Sequence, residues 1–96
     1  SLHDALPISR LIFLDEPTTG MDLEAVDNFW KLLEQQEFTS VVVTHDFNQI
    51  DAFFTKVLIL KDGRIAATKA VEDIHQAGQT IEQYFREEMN KGGEQA

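Results

Sequence analysis

The stretch Leu11-Ile12-Phe13-Leu14-Asp15-Glu16-Pro17-Thr18-Thr19-Gly20-Met21-Asp22 decides how this chain is read. Its first four residues are apolar without alternation. That pattern suits a strand enclosed on both faces of a parallel sheet. Two acids close the run, and Pro17 and Gly20 then mark a loop. Asp22 is a good N-cap. Leu23, Val26, Trp30 and Leu33 recur at helical spacing, which predicts an amphipathic helix from about Leu23 to Gln36. Ser40-Val41-Val42-Val43-Thr44 predicts a second buried strand, β-branched almost throughout and ending at His45-Asp46. Parallel strands need such a helical crossover, and it should be right-handed. Asp15, Glu16 and His45 are then expected at one edge of the sheet, where ligands bind in open α/β folds.

Downstream, Phe47, Ile50 and Phe54 give a short helical stripe, and Lys56 to Leu60 predicts a third strand. Asp62-Gly63 signals a hairpin with Arg64 to Thr68 returning antiparallel. Val71 to Ala77 predicts a short helix closed by Gly78. Thr80 and Gln83 form a capping-box pattern ahead of a last helix carrying Ile81, Tyr84, Phe85 and Met89. Residues 90–96 are expected to be a disordered tail. Phe29, Trp30, Phe47, Phe53 and Phe54 could suggest an aromatic nucleotide platform, but their helical spacing reads more simply as core packing. The expected class is α/β, with parallel strands and helical crossovers followed by a β-hairpin and helices.

The chain has 96 residues, room for at most one domain. It has no cysteine, which excludes disulfides, zinc-thiolate sites and thiol catalysis. Seventeen acids against eight basic residues give a net charge of −9, which disfavours a direct nucleic-acid partner. No apolar run approaches the roughly 20 residues that span a bilayer. Residues 1–9 are expected to be a non-native leader. Ser1 to Ile8 has no clean period, Pro7 would break a regular element, and the eight residues match an in-frame translation of a common sequencing adapter. His3 belongs to that leader, and His75 is expected on the surface of a late helix; neither has ligands beside it at metal-site spacing.

Two adjacent carboxylates at the end of a strand point differently and so can do different work. One can hold Mg²⁺, usually through water, and the other can orient or deprotonate an attacking water. Taken alone, an apolar run followed by Asp-Glu fits a turn or capping acid better.

The wider pattern resembles the ABC (ATP-binding cassette) ATPases. LIFLDEPTTGMD is similar to their Walker B segment and D-loop, VVVTHD to their switch-histidine segment, and KVLILKDGRI to their strand-turn-strand segment. The similarity runs from Leu11 to about Thr68. It implies a partial P-loop NTPase (RecA-like) core, with residues 10–89 forming the C-terminal half of the ATPase domain. It implies ATP and Mg²⁺ as cofactors, with Asp15 the Mg²⁺-coordinating acid and Glu16 the catalytic glutamate. His45 would be the switch histidine on the γ-phosphate, and Thr19, Gly20, Met21 and Asp22 a D-loop that contacts a second ATPase subunit. Transmembrane permease subunits would be further partners, placing the protein in the cytoplasm at the inner or plasma membrane.

The loop Thr-Thr-Gly-Met-Asp and the segment TIEQYF resemble export-type subunits. Two alternatives are a soluble ABC protein acting on ribosomes, against which Thr-Gly-Met-Asp in place of Asn-His-Leu-Asp argues, and a non-enzymatic regulatory domain, against which intact Asp15, Glu16 and His45 argue. No G-x-x-x-x-G-K-[ST] loop, glutamine loop or serine-glycine-glycine signature occurs in the sequence, so the 96 residues are expected to be an inactive fragment of a longer ATPase. With no phosphate cradle, the isolated chain should show no MgATP affinity by calorimetry at millimolar nucleotide. Tight binding without an added partner would contradict this.

Overall fold

The computed structural model describes residues 10–37 and 39–94; the expected leader, residues 1–9, lies outside the described residues. Strand β1 (Leu11–Asp15) pairs in parallel with β2 (Thr39–Val43), in a register that sets Phe13 opposite Val41 and Asp15 opposite Val43. The crossover is helix α1 (Leu23–Glu34). Asp22 caps it as expected, its carboxylate accepting from the Ala25 amide at 2.8 Å. Val26 and Trp30 are the buried members of the stripe. Leu23, expected among them, is exposed. The ring of Phe29 meets that of Trp30 edge-on, with centroids 5.0 Å apart.

The continuous apolarity of β1 and β2 predicts burial on both faces, and here the structure differs. Ile12, Leu14, Ser40 and Val42 are half-buried, whereas Leu11, Phe13, Val41 and Val43 are exposed, Phe13 to 69%. These four share one side of the sheet, because alternate residues of paired strands face the same way. The reason is the small number of strands: among the described residues this sheet has only two. The limits of β2 also shift by one residue. Thr39 joins through its amide, which donates to the Arg10 carbonyl at 2.7 Å. Thr44 leaves the strand, its hydroxyl accepting from the Asp46 amide in a local turn.

The chain divides into two compact units between Asn48 and Gln49. The second unit opens with a single 3-10 turn (Ile50–Ala52) instead of a helix carrying Phe47, Ile50 and Phe54. Gln49 explains this: its φ of 62° is left-handed and cannot continue a right-handed helix from Phe47. Strands β3 (Lys56–Lys61) and β4 (Arg64–Ala70) form the expected hairpin. Asp62 and Gly63 both have positive φ, as a two-residue type I′ turn requires. A bulge lies where the register slips between Ile59 and Leu60, leaving Ala66 as the extra residue of β4.

Helix α2 (Val71–Gln76) follows at once and ends as Gly78 predicts. The Gly78 amide donates to His75 O and the Gln79 amide to Ile74 O, the paired bonds of a Schellman stop. Helix α3 (Ile81–Glu94) begins with both halves of the capping box, Gln83 N to Thr80 Oγ1 at 3.2 Å and Thr80 N to Gln83 Oε1 at 2.8 Å. Its backbone runs on to Glu94, where the sequence predicts a tail from Asn90. Lys91 in the last turn suits the helix C-terminus and pairs with Glu88 at 3.0 Å, offsetting part of the cost of Gly92 and Gly93. Ile50, Ile59, Val71, Ile74, Ile81 and Tyr84 are the buried apolar residues of this unit. Burial pushes the Tyr84 phenol above its ordinary range.

An exposed apolar face with open strand edges favours association. The isolated chain should therefore sediment as concentration-dependent oligomers, and Phe13→Thr should shift it toward monomer. A monomeric wild-type chain unfolding cooperatively above the usual range of about 45–65 °C would contradict that.

Candidate active site

The parallel register brings the ends of β1 and β2 side by side, and the pairing continues one residue past β1. The Glu16 amide donates to the Val43 carbonyl at 2.7 Å. Glu16 then turns sharply, with a φ of 49°. That left-handed region is costly for a residue with a Cβ, on the order of 1–3 kcal/mol, and persists where neighbours over-determine it. The turn gives the two adjacent carboxylates different surroundings. Asp15 is exposed at the last position of β1, and Glu16, about one-third exposed, reaches the end of β2.

Both oxygens of Glu16 are engaged there. Oε1 accepts from the His45 amide at 3.2 Å and lies 2.6 Å from His45 Nδ1. Oε2 accepts from the Thr44 hydroxyl at 3.2 Å. The contact engages Nδ1 and leaves Nε2 as the remaining ring nitrogen. The His45 side chain is 88% exposed, so hydrogen bonds and not packing fix its position. Chemically, the arrangement is an exposed imidazole held by a carboxylate that could also accept a proton from water.

The remaining expected site residues are placed separately. Thr19 and Gly20 form the turn after Glu16, with the Thr19 amide 3.4 Å from the Glu16 carbonyl and Gly20 at a φ of 83°. Met21 donates its amide to the Thr18 carbonyl at 3.0 Å, and its side chain is exposed. Asp22 spends its carboxylate on the cap of α1. Among the described residues, no group of three His, Asp or Glu side chains could hold a metal by itself. A single exposed carboxylate such as Asp15 fits Mg²⁺ only in its common mode, with most of the coordination left to water and to phosphate oxygens.

Three residues of the site were not singled out for chemistry by their sequence pattern. Thr18, only 3% exposed, donates its hydroxyl to Asp46 Oδ2 at 3.3 Å. Asp46 Oδ1 accepts from the Asn48 amide at 3.0 Å and from its side-chain nitrogen at 2.8 Å. Thr44 bonds to both Glu16 and the Asp46 amide. The available signal was their adjacency to Glu16 and His45 in the quoted motifs.

Curated proteins similar to this chain are ATP-binding proteins of transporters. The energy-coupling factor transporter ATP-binding protein EcfA2 of Halalkalibacterium halodurans is 34% identical over 62 residues, which are 60% of this chain and 22% of that protein. EcfA2 of Bacillus subtilis is 29% identical over 76 residues, 75% of this chain and 28% of that protein. The hemin import ATP-binding protein HmuV of Escherichia coli O157:H7 is 26% identical over 77 residues, 76% of this chain and 30% of that protein. This chain is a relative of the ABC transporter ATP-binding proteins. It spans about a quarter of the length of these ABC relatives. No family model matches it, and no solved structure matches it significantly. As an ABC-related chain it is a mixed α/β structure with a parallel strand pair, and among the described residues no helix is long and apolar enough to cross a membrane.

Proposed function

We propose that this chain supplies the Walker B, D-loop and switch-histidine segments of the ATP-hydrolysing subunit of an ABC transporter. The observation that supports this most directly is the 2.6 Å contact between Glu16 and His45, residues from two different strand ends. In this reading Glu16 polarises the water that attacks the γ-phosphate, and His45 contacts the phosphate being transferred. Asp15 would hold Mg²⁺, and the ion would supply neutralisation of charge on the nucleotide phosphates. The residues that cradle the phosphates lie in a part of the protein that these 96 residues do not contain. Alone, the chain is inactive, since electrostatic stabilisation of phosphoryl transfer needs that cradle.

Thr19, Gly20, Met21 and Asp22 form the D-loop toward a second ATPase subunit, and permease subunits hold the assembly at the cytoplasmic face of the membrane. Nucleic acid is not a partner, given the net charge of −9. The proposal is for the transporter ATPase as a class. The export direction implied by the loop and by Thr80 to Phe85 finds no counterpart among the relatives named above, one of which is named for import.

The test is steady-state ATP hydrolysis against Mg²⁺ concentration in the full-length protein that carries this chain. Glu16→Gln should keep ATP and Mg²⁺ binding and slow turnover by roughly 10²–10⁴, with a nucleotide-bound dimer accumulating. Asp15→Asn should weaken the Mg²⁺ dependence itself. If Glu16→Gln turns over like wild type while Asp15→Asn alone is inactive, Glu16 is a structural acid and the assignment fails.

A further inference from the structure

The ring of His45 has almost no packing around it, yet its Nδ1 lies 2.6 Å from a carboxylate on another strand. Something other than van der Waals contact must hold that geometry. We infer that Thr44 and Thr18 are positioning residues, whose hydroxyls brace the Glu16–His45 pair by linking the loop after β1 to the loop after β2 twice. The inference rests on the proposed ATPase reading and adds to it the residues that aim the pair.

The first link is Thr44. Its hydroxyl has one proton, donated to Glu16 Oε2 at 3.2 Å, and its lone pair accepts from the Asp46 amide at 2.9 Å. With both functions used, the hydroxyl rotor is fixed. Glu16 is thereby held at Oε2 by Thr44 and at Oε1 by His45, so the carboxylate plane cannot rotate without breaking a bond.

The second link is Thr18, two residues beyond Glu16 and almost fully buried. A buried hydroxyl needs a partner, and it finds Asp46 Oδ2 at 3.3 Å. Asp46 is fixed in turn by the amide and side-chain nitrogen of Asn48. A closed circuit results: Glu16 to Thr44, Thr44 to Asp46, Asp46 to Thr18, and Thr18 back along the chain to Glu16. His45 sits in that circuit between Thr44 and Asp46. Networks of this kind orient reacting groups from outside, as supporting hydrogen bonds do in preorganised sites.

The experiment compares kcat and KM for ATP in the full-length protein for wild type, Glu16→Gln, Thr44→Val, Thr44→Ser and Thr18→Val. Valine keeps the shape of threonine and removes the hydroxyl. Thr44→Val should lower kcat roughly ten- to a hundredfold, the worth of one hydrogen bond to a charged group, with KM for ATP unchanged. Thr44→Ser restores the hydroxyl and should return kcat to near wild type. Thr18→Val, acting through Asp46, should lower kcat less than Thr44→Val. A merely structural threonine would lower the yield of folded protein and leave kcat per folded molecule alone. If Thr44→Val does not fold, Thr44→Ala at this half-buried position is read in its place. Wild-type kcat in the hydroxyl-free Thr44 variant, or no recovery with Thr44→Ser, overturns the bracing role while a slow Glu16→Gln leaves the ATPase reading standing. Normal turnover in Glu16→Gln sinks that reading, and the inference with it.

Discussion

The parallel pairing of β1 with β2 is the constraint on which the candidate site depends. Residues 29 positions apart in sequence meet because the two strands run the same way and stop at the same level. The hydrogen bond from the Glu16 amide to the Val43 carbonyl extends the ladder just past the last strand residue of β1. Antiparallel pairing would put the end of one strand beside the start of the other and separate Glu16 from His45. The helical crossover makes the parallel arrangement possible, and the Asp22 cap starts that helix only a short loop after the site. The same loop therefore serves local folding and site geometry together.

Backbone direction then gives the two adjacent acids different surroundings. Asp15 ends a strand and remains exposed, whereas Glu16 turns into the left-handed region and reaches across to β2. Strain of that kind is held in place by surrounding bonds, and both carboxylate oxygens of Glu16 supply them. The second unit is compact by itself. Its order comes from an Asp-Gly hairpin, a Schellman stop and a capping box, each a local device that its own sequence specifies.

Local chemistry was accordingly the most legible part of the sequence. Asp22, Asp62-Gly63, Gly78 and the Thr80–Gln83 pair announce caps and turns whose physics involves only a few neighbouring residues. The strand-helix-strand order, and with it the meeting of Glu16 and His45, follows from hydrophobic pattern and crossover geometry. Burial was less legible. Leu11, Phe13, Val41 and Val43 read as core, but burial depends on what lies over a face, which no residue in the strand encodes. The helix expected near Phe47 failed because Asp46 and Asn48 form a side-chain turn and Gln49 takes a left-handed φ. Thr18 read as part of a loop, Thr44 as the end of a strand and Asp46 as a residue just past it, because hydroxyl and Asx bonds across a sheet edge depend on register to within one residue.

The central claim is that Glu16 and His45 act as one unit across the strand ends. A double-mutant cycle on ATP hydrolysis in the full-length protein measures this directly, with Glu16→Gln, His45→Ala and the pair. Residues that work as a unit lose nearly everything on the first substitution. The account predicts that the double variant turns over no more slowly than the worse single variant, within a few-fold. Losses that multiply, so that each substitution costs the same with or without the other, would contradict it.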